Sequence, residues 1–156
     1  MTTSSNRSKH SDPKQGEREY YARKGPAGLA HALGKPFSDD RCKFNLSNLA
    51  ALFHLLPTAP QRLLHLGCGV GWLSHILAQQ KYDVLGIDIA PEAIAAATRR
   101  RDEASLPNLN YQVCDYELFD GAEAFDAVLF FDALHHAEDP AHALNCAQRA
   151  LKSNGV

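Results

Sequence analysis

Long apolar runs are missing from this chain of 156 residues. None approaches the roughly 18 residues that cross a bilayer, so neither a membrane-spanning segment nor a membrane partner is expected. The first sixteen residues are polar almost throughout. They lack the apolar stretch of a secretory signal, and residues 1–16 read as a disordered leader. Cysteine is sparse: Cys42, Cys68, Cys114 and Cys146 stand far apart. That spacing excludes CxxC metal and redox motifs and suits reduced thiols in a cytoplasmic protein. A surplus of either charge is missing too, with 16 Lys and Arg against 18 Asp and Glu. Bulk attraction to nucleic acid is therefore not expected, and the run Arg99-Arg100-Arg101 reads as a solvated helix face.

What is present suits one ordinary domain, 45% hydrophobic and long enough to bury a core. Residues 17–60 read as an N-terminal helical segment. Its first helix, over 17–33, carries Tyr20, Tyr21, Leu29 and Leu33 on one side and is interrupted at Gly25-Pro26. Its second carries Phe44, Leu49, Leu52, Phe53 and Leu56, with Asp39 or Asp40 as N-cap and Pro57 and Pro60 as stops.

From residue 61 the pattern becomes an alternation of strand and helix. Strands are expected at Arg62–Leu66, Tyr82–Ile89, Leu109–Cys114 and Phe125–Phe131. Helices are expected at Trp72–Gln80, from Pro91 with Ala93, Ile94 and Ala97 on its packing face, and at Pro140–Leu151, ended by Ser153-Asn154-Gly155. This is the pattern of an α/β fold, a Rossmann-like parallel sheet with helices on both faces, preceded by N-terminal helices. Ligands of such sheets lie at the carboxyl ends of the strands.

The residues at those ends are distinctive. LLHLGCGVGW, residues 63–72, places Gly67, Gly69 and Gly71 between a strand and a helix. Bare backbone there turns sharply and admits a ligand, and the helix start offers free N–H groups. A dinucleotide fingerprint needs a third glycine where Trp72 stands, which counts against a nicotinamide-dependent dehydrogenase. Asp88 closes the second strand in VLGIDIAPEAI, where a carboxylate can accept both ribose hydroxyls of an adenosine ligand. Asp115 follows the third strand in YQVCDYELF and can accept from an adenine amino group. Each also has a plain reading as a solvated strand-end charge.

From residue 61 to 156 these segments, with FDAVLFFDALHHAEDP and ALKSNGV, resemble successive motifs of the class I S-adenosylmethionine-dependent methyltransferases, small-molecule type. The resemblance implies S-adenosyl-L-methionine as cofactor and a small-molecule methyl acceptor. It places Gly67, Cys68, Gly69 and Gly71 at the methionine end, Asp88 and Ile89 at the ribose, and Asp115 and Tyr116 at the adenine. His65 stands where the family usually has an acidic residue organising the amino-acid end. It reads either as a cofactor contact or as a packed strand-end histidine.

Asp132, His135 and His136 fall where the acceptor should lie. Either histidine is a candidate base, or both shape the loop without proton transfer. Asp132, His136 and His142 match no metal spacing, and no metal is expected. The family sheet has three further strands after LKSNGV. The chain therefore reads as a partial domain whose fourth strand is an open edge, available for pairing with a second copy. The alternative reading is a non-catalytic or partner-completed cofactor-binding fragment.

Overall fold

A computed structural model of the chain describes residues 12–156. The elements run α1 (Gln15–Arg18), α2 (Tyr20–Leu33), α3 (Cys42–Leu55), β1 (Arg62–Leu66), α4 (Trp72–Gln79), β2 (Asp83–Asp88), α5 (Pro91–Glu103), β3 (Leu109–Val113), β4 (Ala127–Phe130) and α6 (Pro140–Ala150). One-turn 3-10 helices follow β3 at Tyr116–Leu118 and β4 at Leu134–His136. The leader expectation falls partly on residues 1–11, outside the described ones. Residues 12–16 correct it, because Asp12–Lys14 turn directly into α1.

The four strands form one parallel sheet in the order β3-β2-β1-β4. In register, Leu64 of β1 lies between Leu85 of β2 and Val128 of β4. The chain runs outward from β1 through β2 to β3, then crosses back to the other side of β1. The point where direction reverses lies at the tips of β1 and β4, which is where an open α/β sheet leaves a crevice.

Alternation along β1 explains why both faces are covered. Leu63 packs with Leu73, Leu77, Val84, Leu109 and Leu129 on the side of α3 and α4. Leu64 and Leu66 pack with Ile87, Phe125, Ala147 and Ala150 on the side of α6. A third cluster joins α2 to α5 through Ala32, Val70, Ala90, Ala93 and Ala96. Its small side chains let the N-terminal helices lie close to the domain, and Tyr21 and Leu29 close its rim.

The interruption expected at Gly25-Pro26 is present: α2 is broken by a kink at Gly25, whose non-helical φ of 64° only a residue without Cβ adopts easily. Other local expectations are corrected. α3 starts from Arg41 without a side-chain cap. The carboxylate of Asp39 accepts instead from the Arg41 N–H, at 2.8 Å. α6 ends at Ala150, and Leu151 turns extended to pair with Phe125, so the glycine at 155 does not stop it. β4 is shorter than expected, covering Ala127–Phe130. Its outer edge is not wholly open, because the Val128 N–H donates to the Val156 carbonyl and the Val156 N–H to that of Asp126. Nor is the arginine run merely solvated. Arg100 donates to the Leu33 carbonyl at 3.1 Å, tying α5 to the end of α2.

Candidate active site

A cleft of about 280 Å³ lies over the strand tips. Its floor is the bend after β1, where Gly67 and Gly69 take φ of 70° and 55°. At neither glycine do the neighbours leave space for a side chain. A Cβ on Gly67 would stand 2.5 Å from that of Ala133, and one on Gly69 would stand 2.9 Å from the Tyr21 hydroxyl. Gly71 differs. It is the left-handed residue before α4, and a Cβ there would land on the Tyr111 hydroxyl, so it serves the packing of β3 rather than the cleft.

Asp88 and Ile89 form the β2 side of the cleft. One Asp88 oxygen accepts from the Gly69 N–H at 2.7 Å and the other from the Ala90 N–H at 2.9 Å. The carboxylate thus pins the glycine bend while its remaining lone pairs are available to a ligand. Burial pushes its pKa up, against the pull of those two N–H groups. Cys68 is buried beneath the bend, and burial pushes its thiol well up, so it is not a nucleophile at neutral pH.

Asp115 and Tyr116 form the β3 side. No motif or periodicity signals what holds Asp115. The Lys14 ammonium bonds both its oxygens, at 2.6 and 2.8 Å, reaches Glu117 as well, and sits 5.6 Å from the Tyr116 ring centre. Glu117 is the other unforeseen residue. Its side chain, 8% exposed, also accepts from the N–H groups of Glu138 and Asp139, joining the loop after β3 to the start of α6. Burial pushes the Glu117 pKa up, but the Lys14 bond and the two N–H groups outweigh it and hold the pKa below 4.5. Burial also leads in raising the Tyr116 phenol to about 12, keeping it protonated and donating to the Ala133 carbonyl at 3.3 Å.

Asp132, His135 and His136 reach the cleft as expected, at its open side. The two imidazoles lie 4.0 Å apart between centres. His136 meets Glu17 of α1 at 3.2 Å, and Asp132, at φ 56°, lies between Arg41 at 3.8 Å and His135 at 4.0 Å. Tyr20, Tyr21 and Lys35 complete the wall from the N-terminal segment. His65 is not in this cleft. It lines a smaller recess of about 110 Å³ behind the glycine bend, which shares Gly67, Gly69, Tyr21, Lys35 and Asp132 with the cleft.

A parallel sheet with this strand order, a bare-backbone bend after its central strand and acidic residues after the next two is the fold of class I S-adenosylmethionine-dependent methyltransferases. The profile of the family described as methyltransferase domain matches residues 64–156, and the chain belongs to that family. Among similar proteins is the ubiquinone biosynthesis O-methyltransferase of Albidiferax ferrireducens, 34% identical over 115 residues, covering 72% of this chain and 46% of that protein. The enzyme of the same name from Azorhizobium caulinodans is 36% identical over 102 residues, covering 65% and 40%. A Haemonchus contortus phosphoethanolamine N-methyltransferase 2, solved with phosphomonomethylethanolamine and S-adenosylhomocysteine, superposes with a TM-score of 0.67. It is 29% identical and covers 70% of this chain and 26% of that one. The chain spans less than half the length of the curated relatives it matches. Among the described residues no helix is long and apolar enough to cross a membrane.

Proposed function

We propose that this chain binds S-adenosylmethionine and directs its methyl group to an oxygen of a small molecule. One observation carries the reading: the cleft combines a side-chain-free floor at Gly67 and Gly69 with carboxylates at two successive strand ends, Asp88 and Asp115. Those residues fit an adenosine ligand. The Gly67–Gly69 bend presents bare backbone to the cleft, Asp88 keeps acceptor capacity for ribose hydroxyls, and Asp115 and the Tyr116 ring border the place for a purine. The cofactor, when bound, supplies a methyl carried on a positively charged sulfur.

The chain's part is alignment, exclusion of water and removal of one proton. Attack by a hydroxyl oxygen forms the new carbon–oxygen bond as the carbon–sulfur bond breaks, and the hydroxyl proton must leave. His136 is the base in this reading, because its Nδ1 meets the Glu17 carboxylate and leaves Nε2 to face an acceptor. His135 and Asp132 then shape the open side. That the acceptor is an oxygen rests on the names of the two similar bacterial enzymes. A cytoplasmic location is supported by four free thiols.

The second reading, cofactor binding with an acceptor pocket completed elsewhere, is favoured by the exposure of the acceptor side. Glu17, His135 and His136 are 44%, 61% and 46% exposed there. Calorimetric titration with S-adenosylmethionine, S-adenosylhomocysteine and NAD tests the shared part. Saturable binding of the first two without NAD binding is expected, and tighter NAD binding overturns both readings. Methyl transfer from labelled cofactor to catechol then separates them, because only the first expects turnover by this chain.

A further inference from the structure

Residues 12–33 form a strap along the cleft, and the kink at Gly25 divides it into halves held in different ways. Beyond the kink, Ala32 is buried with Val70, Ala90, Ala93 and Ala96, and Arg100 donates to the Leu33 carbonyl at 3.1 Å. Packing fixes that half. Before the kink, no residue from 12 to 24 is buried. Tyr21 packs only at the rim of the small-residue cluster. The polar ties of this half to the strand-end loops are ionic: Lys14 on Asp115 and Glu117, and Glu17 on His136. Gly25 makes a joint between the two. Its φ of 64° and ψ of −169° break the helix, and a Cβ built there would meet nothing within 4 Å.

Lys14 stands where it obstructs. Its ammonium takes both Asp115 oxygens, at 2.6 and 2.8 Å, and lies over the Tyr116 ring. These are the two residues that border the place for a purine, so a base arriving there finds its acceptor occupied and the ring face covered. The Lys14 and Asp115 side chains are only 11% and 9% exposed, so salt screens this pair less than an open surface pair. It holds the half-strap down until it is displaced.

We propose that residues 12–24 are a lid hinged at Gly25 and latched by Lys14, so that the free chain is autoinhibited and an adenosine ligand enters only after the Lys14 ammonium leaves Asp115. This rests on the S-adenosylmethionine reading. The same movement carries Glu17 away from His136, so ligand entry and release of that imidazole are one event. Once the ligand is seated, its amino group takes the place of the ammonium at Asp115, and Tyr21 and Glu17 return over the glycine bend and His136. Opening precedes binding, and the fraction of open chain sets the apparent affinity.

Trp72 is the one tryptophan of the chain and borders the recess beside the cleft, so its fluorescence follows ligand entry. Stopped-flow mixing of the whole wild-type chain with rising S-adenosylhomocysteine should give an observed rate that levels off at the rate of lid opening. Raising salt from about 0.05 to about 0.5 M should lift that plateau about threefold. Lys14→Met should lift it about tenfold or more and remove its salt dependence, and Lys14→Arg, which keeps the charge, should bring both back. Since loss of Lys14 also leaves Glu117 unpaired, the unliganded wild-type chain supplies a second readout. Salt should speed its amide exchange over residues 15–24 and not over 27–33. Equal acceleration on both sides of Gly25 overturns the hinge. A rate that stays proportional to ligand concentration, or a plateau that Lys14→Met leaves in place, overturns the latch and leaves the cofactor reading standing. Failure of the wild-type chain to bind S-adenosylhomocysteine overturns the cofactor reading itself.

Discussion

Gly67 shows how one residue serves backbone and ligand at once. Its φ of 70° costs an L-residue roughly 1–2 kcal/mol, and the neighbouring Ala133 Cβ leaves no room for a methyl. Gly67→Ala should therefore destabilise the chain by about 2 kcal/mol or more in urea unfolding, and should abolish S-adenosylhomocysteine binding in whatever fraction folds. Asp88 is different, because its shape can be kept while its charge is removed. Asp88→Asn retains an oxygen for one of the two N–H bonds but turns an NH2 toward the other, so it should cost roughly 1–3 kcal/mol in urea unfolding, and calorimetry on the folded protein should show S-adenosylhomocysteine weakened by roughly 1–3 kcal/mol. Unchanged affinity would remove Asp88 from the ligand's path. Both residues are legible in the sequence because their position at a strand end carries their meaning. Glu117 is not legible. It is one acidic residue among eighteen acidic ones, and only the turn at Tyr116–Leu118 carries it inward to the N–H groups of Glu138 and Asp139.

At the scale of elements, the N-terminal helices act as a strap fastened by charge. Lys14 grips Asp115 and Glu117, Glu17 meets His136, and Tyr21 stands over Gly69. Lys14 takes both Asp115 oxygens, so an adenine amino group must compete with it for an acceptor. Lys14→Met should accordingly tighten S-adenosylhomocysteine several-fold, and calorimetry that shows weaker binding would instead make Lys14 part of the ligand's support. The strap has a pH signature as well. The folded-state pKa of Glu117 is lowered, so its contribution to stability is complete above about 4.5 and is lost as pH falls through the folded value. Glu117→Gln should therefore melt below the wild type near neutral pH, and the gap should close as the solution is acidified past that window. A gap independent of pH would mean that Glu117 acts through packing rather than charge. The ion pairs that fasten the strap were not legible in the sequence, because a lysine in a polar stretch carries no periodic signal.

For the whole molecule, apolar patterning was enough to order the elements. Continuous apolar runs bounded by Gly, Pro and Asp gave parallel strands, and the glycine bend located the cleft. Closure was not contained in that pattern. Whether α2 lies on α5, and whether residues 151–156 return along β4, depends on contacts between segments distant in sequence. Those contacts have a measurable consequence, because the cleft is walled by both the strap and the strand tips. A ligand seated there touches residues near 14–35 and near 67–136, and so resists their separation as well as the unfolding of the sheet. S-adenosylhomocysteine at about a hundred times its dissociation constant should add about 2.7 kcal/mol, which for a chain of this size raises the melting temperature by roughly 5–10 °C. The shift should appear in a single transition followed by both near-UV and far-UV circular dichroism. Amide exchange that slows in β1–β4 but not in α2 on adding S-adenosylhomocysteine would mean that the ligand holds the sheet alone and that the strap stands apart from it.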